Sequence, residues 1–403
     1  MKIVEFDHVD IVFGPHPERA LKLLDEGSDR QSILDKTGNV LGVADCSLDV
    51  DAGEICVLMG LSGSGKSTLL RGVNGLNKIN RGQIRVRDGE KMIDVAHCNS
   101  DTLRHIRCER VAMVFQQFAL LPWRTVRENV GLGLELRGMP KAEREKIVDE
   151  KLALVGLSKW ADKHAHELSG GMQQRVGLAR AFATDADVLL MDEPFSALDP
   201  LIRTHLQDEL LELQRRLNKT IIFVSHDLDE ALKLGTHIVI MENGRIVQRG
   251  RPEEIVLKPA NEYVAEFVAH MNPLNVLRCG SLMTKAEALQ RKNGSLQLDW
   301  TGHHMLLLDA NDVPVSATIE GKTATLMPYS PDMDLAKIGE CGMTIVTATP
   351  DLIMKTAIEI RPATGRPVPL LEDGRLVGVV GDDEVYRGML RQTALANRSR
   401  PVH

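Results

Sequence analysis

The segment Gly60-Leu61-Ser62-Gly63-Ser64-Gly65-Lys66-Ser67-Thr68 limits the folds open to this chain more than any other stretch. It fits G-x-x-x-x-G-K-[ST], follows the apolar, β-rich run EICVLM, and opens into STLLRGVNGL, which has a helical pattern. A strand–loop–helix unit is what such a motif requires. Its glycines let backbone N–H groups converge at a helix N-terminus, where the dipole and the unpaired donors favour an anion. Lys66 adds positive charge where the β- and γ-phosphates of a nucleotide would lie, and the Ser67 hydroxyl can ligate Mg²⁺. The alternative is an accidental glycine turn, and the flanking strand and helix speak against it.

Three further short apolar runs, DVLLMDEP, TIIFVSHD and THIVIMENG, read as strands buried on both faces. Helical stretches lie between them, as at Pro200–Leu217, where leucines recur at three- and four-residue intervals. Strand and helix alternate over the first 270 or so residues, which predicts an α/β fold with a largely parallel sheet. After IVFG, the prolines Pro15 and Pro17 and the runs ERALKLLDEG and RQSILDKTG read as a short helical insertion at 14–41. The composition changes after Met271-Asn272-Pro273, which places a domain boundary near 275. Beyond it, MLLLDANDVPVSATI and PVPLLEDGRLVGVVGDDEVYRGML share a strand–acidic turn–strand pattern, a weak internal duplication whose second copy runs on into a helix.

The run Val188–Glu193 ends in two carboxylates. Asp192 is placed to hold the metal with Ser67, and Glu193 to polarise an attacking water. A strand that merely ends in acids is the bland reading, and the partner at Ser67 weighs against it. Leu168-Ser169-Gly170-Gly171-Met172 precedes the helix-like QQRVGLARAFAT and offers a second helix N-terminus of small residues with free N–H groups.

With these motifs in place the chain resembles the nucleotide-binding subunits of ABC transporters, whose signature reads LSGGQ. The resemblance implies a P-loop NTPase core with a helical signature subdomain at about 117–180, Mg²⁺ and ATP as cofactors, and two ATP molecules sandwiched in a head-to-tail homodimer. It carries the site residue by residue. Gly60 through Thr68 form the phosphate loop, Ser67, Gln116 and Asp192 the metal site, and Glu193, His226 and Gln116 the catalytic group. Phe13 is the adenine-stacking aromatic, with a core phenylalanine as the alternative. Ser169, Gly170, Gly171, Met172 and Asp199 would serve the partner's ATP. Met172 departs from the family's glutamine, but serine and glycine make the phosphate contacts.

Within the family, the insertion, GLSGSGKSTLLRGVNGL and LSGGMQQRVGLARAFA together resemble the quaternary-amine uptake branch, which serves glycine betaine, proline betaine, carnitine and choline. Residues 1–275 would form the ATPase, 276–395 a smaller α+β domain of degenerate tandem cystathionine-β-synthase (CBS) type, and 396–403 a flexible tail. The nucleotide-binding form of that module has Ser or Thr after its last strand and Asp three residues later. Gly381 and Glu384 stand there, which argues against nucleotide sensing and leaves a dimer-stabilising or another regulatory role open. Gln117–Asn129 is expected to line the groove for a permease's coupling helix, with a core role as the alternative. A separate permease and binding protein would choose the substrate, because aromatic cages hold quaternary ammonium groups and Trp123, Trp160 and Trp300 are scattered.

Charge and cysteine usage exclude other classes. The net charge of −7 without a basic block argues against nucleic acid as a partner. No apolar run reaches the ~20 residues that span a bilayer, and the acidic start MKIVEFDHVD lacks a secretory pattern. The expected place is the cytoplasmic face of the cell membrane, bound peripherally. The six cysteines show no metal-ligand spacing and read as reduced and structural. A soluble ABC ATPase acting on ribosomes or DNA remains a rival, although the stretch between Lys66 and Asp192 carries no sustained heptads. Polyamine and sugar importers form a second rival; their chains usually lack the insertion.

Overall fold

A computed structural model describes residues 1–116, 119–196, 198–269, 272–292, 294–340 and 342–390. Gln117 and Phe118 of the expected docking segment, Cys341 and the 396–403 tail lie outside the described residues. The chain divides into two compact units, Met1–Arg251 and a second from Pro252 onward, so the division falls earlier than the composition break near 275. No helix among the described residues is long and apolar enough to cross a membrane.

The described strands of the first unit are β1 (Lys2–Phe13), β2 (Val40–Asp51), β3 (Ile55–Met59), β4 (Arg81–Asp88), β5 (Lys91–Asp94), β6 (Val111–Val114), β7 (Val188–Asp192), β8 (Thr220–Val224), β9 (His237–Glu242) and β10 (Arg245–Gly250). They form two sheets. One runs β10-β9-β3-β8-β7-β6, parallel except for the β10 edge; the other is the antiparallel β2-β1-β4-β5. Every residue of β3, β7 and β8 is buried, as expected of short apolar runs covered on both faces. The antiparallel sheet escapes a sequence reading because polar residues interrupt it. In β4, RGQIRVRD, only Ile84 and Val86 are buried. Both sheets share a core with the helix Lys66–Val73, through Val4, Phe6, Ile84, Leu69, Leu70, Val188 and Ile222 among others. The helices Val126–Val130, Lys141–Leu154 and Gly170–Ala183 pack around a separate core that includes Val130, Leu152 and Val176.

The insertion folds as two helices, Pro17–Asp25 and Arg30–Thr37. Ala20, Leu24 and Ile33 bury themselves against Val12, Leu41 and Ala44 of β1 and β2. A clasp closes its base. Asn39, fully buried, accepts from the His16 N–H at 3.2 Å and donates to the His16 and Thr37 carbonyls at 3.1 and 3.2 Å. Gly14 turns there at φ +137°, and a Cβ on it would sit 2.1 Å from Asn39 Oδ1.

The second unit holds β11 (Thr284–Lys285), β12 (Arg291–Lys292), β13 (Ser295–Gln297), β14 (His304–Leu308), β15 (Pro314–Ile319), β16 (Lys322–Pro328), β17 (Thr344–Thr347), β18 (Val368–Glu372) and β19 (Arg375–Val380) among its described residues. They form the sheets β12-β13-β14-β15-β16-β17 and β11-β19-β18. Both strand–turn–strand pieces fold as antiparallel hairpins, β14-β15 and β18-β19. Their continuations differ. The second enters the helix Asp382–Met389, whereas the first pairs onward with β16. The duplication is therefore limited to the hairpins.

Of the cysteines, Cys46, Cys56, Cys98, Cys108 and Cys279 are free thiols. Burial pushes Cys46 and Cys279 up to about 12, which keeps both protonated and unreactive.

Asn39→Ala removes three part-buried side-chain hydrogen bonds that close the base of the insertion. Urea denaturation should show an unfolding free energy lower by about 1–3 kcal/mol.

Candidate nucleotide-binding site

The phosphate loop leaves β3 and enters the helix Lys66–Val73 through glycines in the left-handed region. At Gly60, φ +144°, a Cβ would lie 2.1 Å from the Met241 carbonyl oxygen; at Gly65, φ +100°, it would lie 2.4 Å from that of Gly42. Neither place admits a side chain. The loop is also braced from the β9-β10 turn, where Asn243 and Gly244 take φ of +49° and +83°, both central residues being left-handed as in a tight hairpin turn. The Gly244 N–H donates to the Ser64 carbonyl at 3.0 Å, and its carbonyl accepts from the Ala44 N–H at 2.8 Å. The Asn-Gly pair was visible in the sequence, but not its contact with a loop some 180 residues earlier.

The loop opens on a cleft of about 420 Å³ lined by Phe13, Arg30, Val40, Gly42, Ser62, Gly63, Gly65, Lys66, Ser67, Thr68, Glu193 and His226. Phe13 is 42% exposed, so it is not a core residue. Gly60, Leu61 and Ser64 belong to the loop but do not line the cleft. Lys66 Nζ donates to the Gly60 and Leu61 carbonyls at 2.9 and 3.0 Å, so the ammonium keeps one of its three donors for a phosphate oxygen. Burial lowers the Lys66 pKa, with Glu193 and Asp192 opposing the shift.

Asp192, 1% exposed, ends β7 beneath the loop. Ser67 Oγ donates to its Oδ1 at 2.7 Å, and the Arg71 guanidinium binds Oδ2 through Nε and Nη2 at 3.0 and 2.7 Å. Arg71 was not singled out in the sequence. Its spacing from Ser67, one helical turn on the same face, was the available signal.

Glu193 follows with φ +46°, a left-handed conformation unusual for a side chain of this size. The backbone around it holds that conformation: Glu193 N–H donates to the Val224 carbonyl at 3.1 Å, and Ser196 Oγ to the Glu193 carbonyl at 3.0 Å. On its carboxylate, Oε2 accepts from Gln116 Nε2 at 3.1 Å and lies 3.3 Å from His226 Nδ1. Three candidates from separate stretches of sequence thus meet at one oxygen. Their setting favours water activation, since a carboxylate flanked by two polar groups beside a phosphate-binding loop can orient and polarise a nucleophile.

The remaining candidates do not line this cleft. Ser169 caps the helix Gly170–Ala183 by position, without a side-chain capping bond, and Ser169 and Gly170 are exposed. Met172 packs on the helical subdomain's core. Asp199 Oδ1 accepts from the Ile202 N–H at 3.1 Å and caps the helix Pro200–Leu217. In the expected docking segment, Val126 and Asn129 are interior, not groove-lining. The Asn129 amide is fully satisfied by the chain, donating to the Leu121, Arg124 and Thr125 carbonyls and accepting from the Leu121 N–H. Trp123, by contrast, is 70% exposed.

Residues 43–196 match the ABC transporter family model. The glycine betaine/proline betaine transport system ATP-binding protein ProV of Escherichia coli is 51% identical over 96% of this chain and 98% of its own length. This chain belongs to the ABC transporter ATP-binding proteins. The glycine betaine transport ATP-binding protein OpuAA of Bacillus subtilis is 48% identical over 72% of this chain and 69% of its own length. Among solved structures, the ATP-binding cassette MJ0796, a dimer in a post-hydrolysis state bound to ADP and Pi, covers 62% of this chain and 99% of its own at 29% identity and a TM-score of 0.52. The chain is thus an ATP-hydrolysing enzyme with the P-loop NTPase fold that its glycine loop required.

Arg71→Ala leaves Asp192 buried with one carboxylate oxygen unpaired. Unfolding free energy measured in urea should fall by about 1–3 kcal/mol, with Arg71→Lys intermediate because an ammonium cannot reproduce the two-pronged contact.

Proposed function

We infer that this chain energises import of a quaternary amine of the glycine betaine or choline type, through a separate permease and substrate-binding protein at the cytoplasmic face of the membrane. The observation carrying the ATPase half is the meeting of Gln116, Glu193 and His226 at one carboxylate oxygen, with Glu193 and His226 lining the cleft that the phosphate loop walls. The substrate class rests on resemblance to ProV and OpuAA, whose names state glycine betaine transport.

The chemistry follows from the placement. The loop's N–H groups and Lys66 hold the polyphosphate, and Phe13 offers a face to the base. Among the described residues no cluster of three His, Cys, Asp or Glu side chains can hold a metal by itself. A hydroxyl beside a carboxylate is nonetheless the hard-oxygen set that suits Mg²⁺ shared with phosphate oxygens and water. Ser67, Asp192 and Gln116 would hold that ion, whose charge offsets the charge developing on the γ-phosphate. Glu193 then takes up or polarises the proton of the attacking water, Gln116 orients that water, and His226 stabilises the γ-phosphate oxygens.

Because Ser169, Gly170, Gly171, Met172 and Asp199 do not line their own chain's cleft, they are read as completing the partner's site in a head-to-tail homodimer. The dimeric state of MJ0796 supports this reading. The exposed Trp123 supports a permease contact nearby. We also read 276–395 as a degenerate CBS-type module. Its hairpin β18-β19 runs into a helix where Glu384 is occupied internally, accepting from the Gly381 N–H at 2.7 Å and Thr284 Oγ at 2.6 Å. Those bonds favour a structural or dimerising role over nucleotide sensing.

Glu193→Gln should lower ATP turnover by at least roughly 100-fold while ADP affinity holds; intact turnover would overturn the assigned base. Gly171→Glu places a carboxylate at the signature helix, so turnover should fall by roughly 100-fold or more while ADP binding by the separate subunit stays within about twofold. Equal loss of both would place the signature in cis. For the substrate, proteoliposomes holding the ATPase and its membrane partner should accumulate labelled glycine betaine or choline on ATP addition. Accumulation of spermidine or maltose instead would move the chain to another importer branch.

A further inference from the structure

The geometry points to Arg30, carried by the 14–41 insertion, as a phosphate-binding residue of the nucleotide site: its guanidinium holds the phosphate loop with one donor and presents the others to the polyphosphate. This rests on the ATP-site reading above and extends it to a residue outside every motif of the core.

Arg30 is the first residue of the helix Arg30–Thr37, whose start Asp29 caps by accepting from the Ser32 N–H at 2.8 Å. Ile33, fully buried on the same helix, anchors it to β1 and β2. The Asn39 clasp closes the far end of the insertion. A half-buried arginine held on so fixed a support has already given up much of its freedom, which lowers the cost of ordering it on a ligand.

From there Arg30 Nη1 donates to the Gly63 carbonyl at 2.5 Å. That carbonyl shares its peptide unit with the Ser64 N–H, which closes the loop's turn onto the Leu61 carbonyl at 3.1 Å. A charged donor on the carbonyl polarises the unit and strengthens that turn. One contact uses one of the five guanidinium N–H groups. Arg30 also has no carboxylate partner among the described residues, unlike Arg71, Arg81 and Arg85. Its side chain lines the cleft together with Lys66, Ser62 and Phe13. A guanidinium without a carboxylate partner among the described residues, lining a concave site together with a buried ammonium, is suited to a polyanion, because it brings positive charge and uncommitted N–H donors to phosphate oxygens.

The insertion is placed for this role. Phe13 and Val40, the cleft residues on either side of it, are partners in the β1-β2 register. The extra segment therefore springs from the lip of the cleft, and the first residue of its second helix, Arg30, joins the lining.

The test is Mg²⁺-ADP binding to the full chain by calorimetry, in wild type, Arg30→Ala, Arg30→Gln, Arg30→Lys and Lys66→Ala. Arg30→Ala and Arg30→Gln should weaken binding by roughly tenfold, the size of one charge-assisted contact, while Arg30→Lys stays within about threefold. Thermal unfolding without nucleotide should shift by no more than ~2 °C for Arg30→Gln, whose amide can still reach the Gly63 carbonyl. Wild-type affinity in Arg30→Gln would overturn the proposal and leave Arg30 a brace for the loop. So would equal loss in Arg30→Lys and Arg30→Gln, since charge would then be irrelevant. If wild type itself fails to bind ADP, or Lys66→Ala binds as well as wild type, the ATP-site reading has failed instead.

Discussion

The carboxylate of Asp192 is the joint on which the first unit turns. It lies almost wholly out of water, a costly position for a charge, and three donors from one helix compensate it: Ser67 Oγ and two nitrogens of Arg71. The joint ties the end of β7 to the helix after β3, although β8 lies between those strands in the sheet. The loop's helix and the point at which Glu193 leaves β7 are thereby tied together. With Asp192 fixed, Glu193 sits one residue on, its left-handed backbone aiming its carboxylate at Gln116 and His226.

The geometry of the candidate site comes from rigid neighbours more than from its polar side chains themselves. Gly60 and Gly65 admit backbone that no other residue would, and the turn at Asn243-Gly244 fills the space behind them. Closeness of this kind leaves the loop little room to relax, so its N–H groups stay where an anion needs them and little reorganisation remains for binding.

How far the residues alone disclosed this depended on the range of each interaction. The runs ending in Met59, Asp192 and Val224 were legible as strands because continuous burial leaves a continuous apolar signature, and the loop and its two carboxylates were legible because their spacing is local. The antiparallel sheet was not, since β4 shows one buried face interrupted by arginines. Arg30 and Arg71 were missed for a related reason. An arginine looks the same in sequence whether it faces water, a buried carboxylate or a carbonyl, and only tertiary placement distinguishes these cases. The tail hairpins were legible from their turns, whereas their different continuations, β16 against a helix, depended on pairings that no local pattern records.

The clasp at Asn39 has a consequence for how such a chain could have been assembled. Because Phe13 and Val40 face one another across β1 and β2, and the His16–Asn39 pair shuts just beyond them, the intervening segment enters and leaves through a single doorway. A stretch closed in this way can be lengthened, shortened or exchanged while the hairpin beneath keeps its register. The lip of the cleft is therefore a place where a chain of this family can add a residue to the cleft wall, as Arg30 does, while the paired strands beneath keep their places.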